Sequence, residues 1–314
     1  MRPSMRKSAE VACAEWPERG LDREAFVEQV RAQGVAFYRE LPWRHIGDPY
    51  AVLVSEVMLQ QTQVVRVERF WRRFLDFFPT IDALAAASTA DVLELWQGLG
   101  YNRRALALKR AAEACARERA GLLPNTYEEL TALPGVGPAT AAGVLAFAYQ
   151  QPGVYLETNV RAVFLHDLFP DEEKVPDRVL RPLVADTCPP APARGASIDH
   201  PDPLASPRDW YYALLDYGAH LKTTVVNPSR RSSHYTRQSA FEGSRRQKRS
   251  WIVRRVLAAD EVEGVPARTV LRELDRAERE AGRGPVDTES FSSIVEDLIS
   301  EGFFRRDGDR LHPC

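Results

Sequence analysis

The chain has 314 residues, of which 44% are hydrophobic, and a formal net charge of -2 at pH 7. This length is sufficient for two or three domains with cores of their own, and the charge excludes a protein that is basic throughout. No apolar segment is long enough to cross a bilayer, and the N-terminal residues lack the apolar core of a signal peptide. The four cysteines are scattered, without metal-binding spacing or a disulfide pattern, so a reducing cytoplasm is the expected location.

Helical periodicity dominates from residue 21 to about residue 220, after an N-terminal tail over residues 1–20. Alternation typical of strands is missing from this span, so the domain over 21–221 is expected to be all-α. The nearly apolar stretch 138–150 predicts a buried central helix, and the proline-rich stretch 187–208 predicts a surface insertion. The predicted helices cover residues 21–40, 48–78 (as two helices), 89–100, 103–120, 126–133, 138–150 and 207–221.

Positive charge is concentrated in residues 222–255, which contain ten Lys and Arg but only one acidic residue, Glu242. Such a concentration is typical of a surface that binds polyanions. A solvated linker between domains is the alternative interpretation of this composition. The residues expected to contact the polyanion are Arg230, Arg231, Arg245 and Arg246.

The C-terminal part of the chain has a different organisation. Three helices are predicted there, over residues 250–260, 266–280 and 289–302. A hairpin follows, with Asp307-Gly308 at its turn. This order outlines a small winged-helix-like domain over 250–314, with a plain helical bundle as the alternative. Residues 222–249 are then a basic linker that leads into this domain.

The stretch LPGVGPATAAG, residues 133–143, places a proline on either side of Gly-Val-Gly and continues with small residues. A nucleotide-binding P-loop needs a lysine, then Ser or Thr, and a preceding strand, and neither is present. A helix, a glycine hairpin and a second helix instead expose backbone N–H groups that can bind one DNA phosphate without reading sequence. A tight turn without a ligand is the alternative. The candidate phosphate-binding residues are Gly135, Val136, Gly137 and Thr140.

Four segments in register carry a resemblance to a known family, namely LPWRHIGDPYAVLVSEVMLQQTQV (41–64), LWQGLGYNRRALAL (95–108), LPGVGPATAAGVLAFAY (133–149) and LETNVRAV (156–163). Together they resemble the helix-hairpin-helix DNA glycosylase superfamily, and within it the MutY-type adenine DNA glycosylases, from about residue 25 to residue 222. The resemblance implies a mainly α fold of two helical lobes that bind a flipped base between them. It also implies a monomer whose partner is double-stranded DNA with a damaged or mispaired base.

Two carboxylates can divide the hydrolysis of an N-glycosidic bond, one protonating the leaving base and the other stabilising the cationic sugar. Glu56 lies in the apolar run AVLVSEVML, where burial favours the protonated carboxyl. By resemblance, Glu56 matches the general acid of the family. A structural ion pair with an arginine such as Arg44 is the alternative.

The second candidate acid departs from the family pattern. The family has Asp-Gly-Asn where this chain has Glu157, Thr158 and Asn159. The resemblance implies that Glu157 stabilises the cation and helps water to attack, with Asn159 beside it. The longer side chain leaves three alternatives, namely a shifted backbone, a different substrate, or a Glu157 that only caps the following helix.

Five further residues match family positions around the extruded base. Amide and aromatic side chains there can fill the gap in the duplex and test the partner base. A core aromatic is the alternative for Tyr101. The residues are Gln60, Gln61 and Tyr101, which are expected to probe the duplex, and Trp43 and Arg44, which are expected at the pocket entrance.

Three departures from the family narrow the prediction. Most members have four cysteines for an iron–sulfur cluster after the segment that matches residues 214–221, but residues 222–249 contain no cysteine. Because thiolates hold such clusters, no cluster is expected, and a monovalent cation at the hairpin is the only metal left open. MutY enzymes usually end in a Nudix-like domain that checks for 8-oxoguanine. In this chain the winged-helix-like domain is predicted in its place. Bifunctional relatives have a nucleophilic lysine at the position of Ala139.

The sequence therefore predicts a monofunctional DNA glycosylase of base excision repair, without AP lyase activity, that releases an adenine-type purine. The alternatives are a glycosylase for another damaged or deaminated base, and a noncatalytic DNA-binding protein with the same fold. Retention of both Glu56 and Glu157 favours the enzyme.

Overall fold

The computed structural model describes residues 14–44, 46–193, 204–233, 235 and 240–314. These residues form two compact units, between which the chain passes three times. The first unit comprises the residues up to Gly47 together with 141–236, and the second unit comprises residues 48–140 and 237–314. Among all the residues that the structure describes, no helix is long and apolar enough to span a membrane.

The described residues are mainly helical, which confirms the predicted fold class. The helices are, in chain order, α1 (Arg23–Ala36), α2 (Pro49–Leu59), α3 (Val64–Phe77), α4 (Ile81–Ala86), α5 (Thr89–Trp96), α6 (Arg103–Arg119), α7 (Tyr127–Thr131), α8 (Pro138–Tyr149), α9 (Thr158–Asp167), α10 (Asp177–Thr187), α11 (Pro207–Thr224), α12 (Arg245–Leu257), α13 (Ala267–Glu280) and α14 (Thr288–Ser300). A 3₁₀ turn covers Pro228–Arg231, and the strands are β1 (Val265–Pro266), β2 (Phe304–Asp307) and β3 (Arg310–Pro313).

The first unit is organised around α11, which packs against α9 and α1. Trp210 and Tyr211 of α11 are fully buried, as is Phe164 of α9. Ser206 caps α11 by accepting a hydrogen bond from the amide of Asp209 at 3.2 Å, as expected of a serine before a helix. Burial of these aromatic side chains fixes α9 against α11, and α9 is the helix that follows the second candidate acid.

The predicted insertion and linker have different boundaries in the structure. Within the insertion over 187–208, α10 ends at Thr187 and α11 begins at Pro207, while residues 194–203 lie outside the described residues. Within the linker over 222–249, α11 continues to Thr224 and α12 already begins at Arg245. Because both helices extend into the predicted linker, only residues 225–244 are left to connect them.

The C-terminal residues have the predicted winged-helix-like arrangement. Helices α12, α13 and α14 pack together, and the three strands form an antiparallel sheet in the order β1-β3-β2. The hairpin of β2 and β3 turns at Gly308, whose φ of +56° favours glycine. Leu311 pairs with Val265 on one side and Arg306 on the other. We call residues 245–314 the C-terminal module.

The C-terminal module is part of the second unit and is held against α6. The Glu301 carboxylate accepts hydrogen bonds from Arg103 of α6 and from Arg249 of α12, each at 2.6 Å. The Glu301 carbonyl accepts a hydrogen bond from Arg110 of α6 at 2.5 Å. Side chains far apart in sequence therefore join the module to the preceding helices, and the domain boundary expected here stays a prediction.

Candidate active site and DNA-binding hairpin

The glycine hairpin connects α7 to α8, and its two glycines have different environments. Gly135 has a φ of +74°, and a Cβ at this position would overlap the Cβ of Ala107 on α6, so only glycine fits. A Cβ on Gly137 would meet no atom within 4 Å. Val136 is buried, whereas Gly137 and Ala139 are exposed. The buried valine thus anchors a hairpin that presents exposed backbone at a helix N-terminus, the geometry that binds an oxyanion.

Thr140 connects the hairpin to the helix that carries Glu56. The Thr140 side chain is buried, and its Oγ1 accepts a hydrogen bond from Nε2 of Gln60 at 3.0 Å. Gln60 follows α2 directly. Both residues were predicted to act on DNA, but in the structure these two side chains satisfy each other and hold the end of α2 at the start of α8.

Arg104 reinforces the same junction, and the sequence analysis did not single it out. Its guanidinium donates to the carbonyls of Val57, Met58 and Gln60 at distances between 2.6 and 2.9 Å. The last carbonyls of a helix have no partner within the helix, so Arg104 caps α2. Burial lowers the pKa of Arg104 to about 10. In the sequence, Arg104 is distinguished only by its position within the motif at 95–108.

Gln61 and Tyr101 adopt backbone conformations that are unusual for residues with a side chain. Their φ values are +55° and +50°, in the left-handed region where such residues cost free energy unless their surroundings hold them. Tyr101 is 37% exposed, which excludes the core-aromatic alternative. Its hydroxyl accepts a hydrogen bond from Arg246 of α12 at 2.7 Å, and its ring lies 5.4 Å from the guanidinium of Arg104. An exposed ring held in this way suits the predicted contact with a duplex.

Glu56 is the one charged residue of α2, where eight of the eleven residues are buried. Its side chain is half-buried. Asp48 caps the helix by accepting a hydrogen bond from the amide of Tyr50 at 2.9 Å, and Pro49 begins it. The second unit therefore carries this carboxyl on a rigid apolar helix, as the sequence predicted.

Glu157 occupies the N-cap position of α9 in the first unit. Its Oε1 accepts hydrogen bonds from the amide of Asn159 and, at 3.0 Å, from the amide of Val160. The helix-cap alternative thus describes a contact that exists. A cap does not exclude catalysis, because a helix N-terminus also stabilises a negative charge.

Arg44 has a structural partner in the first unit. Its guanidinium donates two hydrogen bonds to the Asp216 carboxylate, at 2.7 and 2.8 Å, and lies 4.3 Å from the ring centroid of Tyr212. Burial alone would lower the pKa of Arg44, but the hydrogen bonds to Asp216 more than offset it and raise that pKa. Trp43 is also buried. Arg44 is thus paired with Asp216, and its expected place at the pocket entrance stays a prediction.

The cysteine-free segment that begins at Lys222 packs on α9. Ser229 donates from its Oγ to the carbonyl of Thr158 at 3.0 Å. Arg231 donates to the carbonyl of Leu165 at 2.7 Å and also to the carbonyl of Phe169. Arg231 therefore caps the C-terminal end of α9, and its expected contact with DNA stays a prediction.

The other three basic residues of the predicted DNA contact lie in different settings. Arg230 is exposed. Arg245 donates to the carboxylate of Asp297 at 2.7 Å, and Arg246 donates to Tyr101. Of the four arginines, Arg230 has the side chain whose exposure best suits an electrostatic contact with a polyanion.

The residues present do not fit an iron–sulfur cluster. Residues 222–249 contain no thiol, and the polar side chains of Ser229 and Arg231 are bound to backbone carbonyls of α9 and its C-terminal loop. Across the described ranges, no group of three or more His, Cys, Asp or Glu side chains could hold a metal ion. Hydrogen bonds hold this segment against α9.

Comparison with known proteins shows which family part of the chain is similar to. Residues 54–185 match the HhH-GPD superfamily of base excision DNA repair proteins. This span contains Glu56, Tyr101, the hairpin and Glu157. The match agrees with the predicted resemblance over this span, which is less than half of the chain.

Several proteins named adenine DNA glycosylase are similar to a part of this chain. The chain is 48% identical over 127 residues to the adenine DNA glycosylase of Mycobacterium tuberculosis strain CDC 1551, and 46% identical over 126 residues to that of Mycolicibacterium smegmatis. The matched segments span 40% of this chain and 42% and 43% of those proteins. A thermostable thymine-DNA glycosylase of known structure shares the fold, with a TM-score of 0.52 and 23% identity over 63% of this chain and 86% of the other.

Proposed function

We propose that this protein is a monofunctional DNA glycosylase that releases a mispaired or damaged adenine-type purine from double-stranded DNA. The observation that carries the proposal is the presence of both candidate acids and the exposed hairpin within the matched HhH-GPD span. The relatives named adenine DNA glycosylase support the choice of base. A chromosomal substrate places the proposed activity in the cytoplasm, with the nucleoid.

In the proposed reaction, Glu56 and Glu157 have opposite roles. Glu56 donates a proton to the purine ring, and the bond between the sugar and the base nitrogen breaks with its electron pair going to the base. The ionised Glu157 stabilises the cationic sugar and accepts a proton from the water that adds to it. The products are a free base and an intact strand with an abasic site.

Ala139 supports water as the final nucleophile. The residue is exposed at the start of α8, at the position where the sequence analysis placed the nucleophilic lysine of bifunctional relatives. A methyl group cannot form a Schiff base with the sugar. Borohydride should therefore trap no covalent complex, and the strand should break only after alkali or heat.

We also propose that the protein works without an iron–sulfur cluster. Support comes from the cysteine-free segment and from its hydrogen bonds to α9. A purified protein without iron or visible absorbance is the expected result. A monovalent cation at the hairpin stays a prediction, to be checked by comparing DNA affinity in potassium and in lithium salts.

The test of the proposed function is an alkali-cleavage assay on a panel of duplexes, with adenine opposite guanine, cytosine or 8-oxoguanine. The wild type should release base from at least one duplex. Glu56→Gln should bind the same duplex and release nothing, because the shape is kept and the transferable proton is lost. Binding without release by the wild type on every duplex would instead support the noncatalytic DNA-binding alternative.

A further inference from the structure

The side chain of Tyr101 is held by the C-terminal module, although the residue that holds it is 145 positions further along the chain. Nη1 of Arg246 on α12 donates a hydrogen bond to the Tyr101 hydroxyl at 2.7 Å, and the guanidinium carbon of Arg246 lies 5.8 Å from the centroid of the ring. The guanidinium of Arg104 on α6 lies 5.4 Å from the same centroid. Arginines from two helices therefore contact this exposed ring.

The backbone around Tyr101 is fixed by residues that precede the module. The carbonyl of Gly100 accepts hydrogen bonds from Nε1 of Trp96 at 3.1 Å and from Nη2 of Arg104 at 3.0 Å. The carbonyl of Tyr101 accepts one from the amide of Arg104 at 2.9 Å. These contacts set the path of the loop, but the direction of the ring also depends on its side-chain torsion angles. The hydrogen bond from Arg246 acts on that direction, at the tip of the side chain.

Arg246 projects from a well-fixed end of α12. Ser244 caps this helix by accepting a hydrogen bond from the amide of Gln247 at 3.3 Å. Arg249, one turn further along, donates to the Glu301 carboxylate at 2.6 Å, and the same carboxylate binds α6. The donor that reaches Tyr101 is therefore already in place in the free protein.

The contact between Arg246 and Tyr101 is poorly suited to a purely stabilising role. Tyr101 is 37% exposed, and a hydrogen bond between groups that water can reach adds little net stability, because it replaces hydrogen bonds to water. The backbone of Tyr101 also has a φ of +50°, a conformation that costs free energy in a residue with a side chain and that is concentrated at functional sites. An exposed ring that is strained and oriented fits a binding role better than a packing role.

We propose that Arg246 is a positioning residue through which the C-terminal module orients the Tyr101 ring for entry into the DNA duplex beside the extruded base. The inference rests on the proposed glycosylase function. A ring that is ordered before DNA arrives does not lose its rotational freedom during base extrusion, so extrusion is faster. The module thus takes part in base extrusion through a protein side chain, and Arg246 need not touch DNA to do so.

The test uses the full-length protein and the same panel of duplexes, each with 2-aminopurine beside the mispaired adenine as a fluorescent reporter of unstacking. Stopped-flow fluorescence at saturating protein follows extrusion, which does not require base release. Arg246→Met should slow the fluorescence rise about threefold to tenfold, and Tyr101→Phe, which loses only the hydroxyl, should slow it equally. Arg246→Lys, which can still donate to the hydroxyl, should restore most of the rate. Arg272→Met removes an exposed arginine of α13 and should leave the rate unchanged.

A double-mutant cycle separates positioning from a direct contact of Arg246 with DNA. In the Tyr101→Phe background, Arg246→Met should cause no further slowing, because the hydroxyl through which it acts is absent. A full additional loss in that background, with a smaller salt dependence of affinity, would overturn the inference in favour of a phosphate contact. Single variants that extrude at the wild-type rate would also overturn it, as would wild-type protein that binds without any fluorescence change.

Failure of the proposed function has a different signature. Wild-type protein that raises the fluorescence but releases no base would contradict the proposed reaction. The same order of rates among the variants of Arg246 and Tyr101 would then still support the positioning role.

Discussion

Glu157 has an observed role as the cap of α9 and a proposed role in the reaction. Its Oε1 accepts the amide hydrogen bonds of Asn159 and Val160, which are among the donors that a helix leaves unsatisfied at its N-terminus. The extra methylene relative to the family aspartate is used here to reach back over the first turn of α9. The cap also fixes the direction of the carboxylate, so that a longer side chain need not be a more mobile one.

Two substitutions of Glu157 should separate these roles. Glu157→Gln keeps an oxygen that can accept the same amide hydrogen bonds, so the unfolding free energy should change little while the rate of base release falls at least a hundredfold. Glu157→Ala removes the cap as well and should lower the unfolding free energy by about 1 kcal/mol. Urea denaturation and single-turnover excision measure the two effects. A Glu157→Gln rate near that of the wild type would leave Glu157 as a cap alone.

At the scale of elements, the hairpin between α7 and α8 is tightly packed at Gly135 and open to solvent at Gly137. Gly135 is required by its φ and by Ala107, whereas Gly137 has open space around it. Val136 and the Gln60–Thr140 hydrogen bond fasten the loop to the core. The hairpin can therefore meet a phosphate with little reorganisation, which favours tight binding.

Gly137→Leu should leave the melting temperature nearly unchanged, because a Cβ at this exposed position meets no atom within 4 Å. It should weaken binding to matched and mismatched duplexes by similar factors, since a phosphate contact carries no sequence information. Gly284→Leu is the matched control, because a Cβ there also meets nothing within 4 Å and lies in the C-terminal module. Equal DNA affinity of the two variants would remove the hairpin from the interface.

In the basic segment that packs on α9, the adjacent residues Arg230 and Arg231 are expected to have different roles. Arg230→Ala removes an exposed charge and should reduce the slope of log affinity against log salt by about one. Arg231→Ala removes the cap of α9 and should chiefly lower the melting temperature, because buried carbonyls lose their donor. Fluorescence anisotropy at several salt concentrations and thermal unfolding distinguish the outcomes. An unchanged salt slope for Arg230→Ala would leave this residue outside the DNA contact.

At the scale of the whole molecule, the C-terminal module is a structural part of the second unit. Glu301 joins it to α6, and the amide of Ala90 donates to the carbonyl of Cys314 at 2.7 Å. Arg246 of the module also holds the hydroxyl of Tyr101. A change in the module therefore reaches the loop that is proposed to probe DNA.

Glu301→Gln should lower the unfolding free energy by about 1 kcal/mol, because Arg103 and Arg249 lose their shared partner. It should increase hydrogen exchange in α12 and slow base release through the contact of Arg246 with Tyr101. Glu296→Gln is the control on the same helix, since Glu296 pairs with Arg306 inside the module. If hydrogen exchange in α12, measured by mass spectrometry, were the same in Glu301→Gln and Glu296→Gln, the proposed coupling through Glu301 would be wrong.

Local signals in the sequence determined the helical class, most helix positions, the hairpin, and the outline of the C-terminal module. Helix periodicity, capping residues such as Asp48 and Ser206, and turn glycines such as Gly308 act over a few residues, so they can be read without a fold. Both candidate acids were also found from sequence, because each lies in a motif with a defined spacing.

Only the tertiary structure decided which side chains share a partner. Arg44 binds Asp216 across 172 residues, Arg246 reaches Tyr101 across 145, and Lys222 reaches Asn159 across 63. Periodicity says which face of a helix is buried, but it does not say which charged group lies opposite that face. These pairings depend on how the helices pack. For that reason the sequence did not show that Arg44 and Arg231 have structural partners, or that Lys222 reaches Asn159.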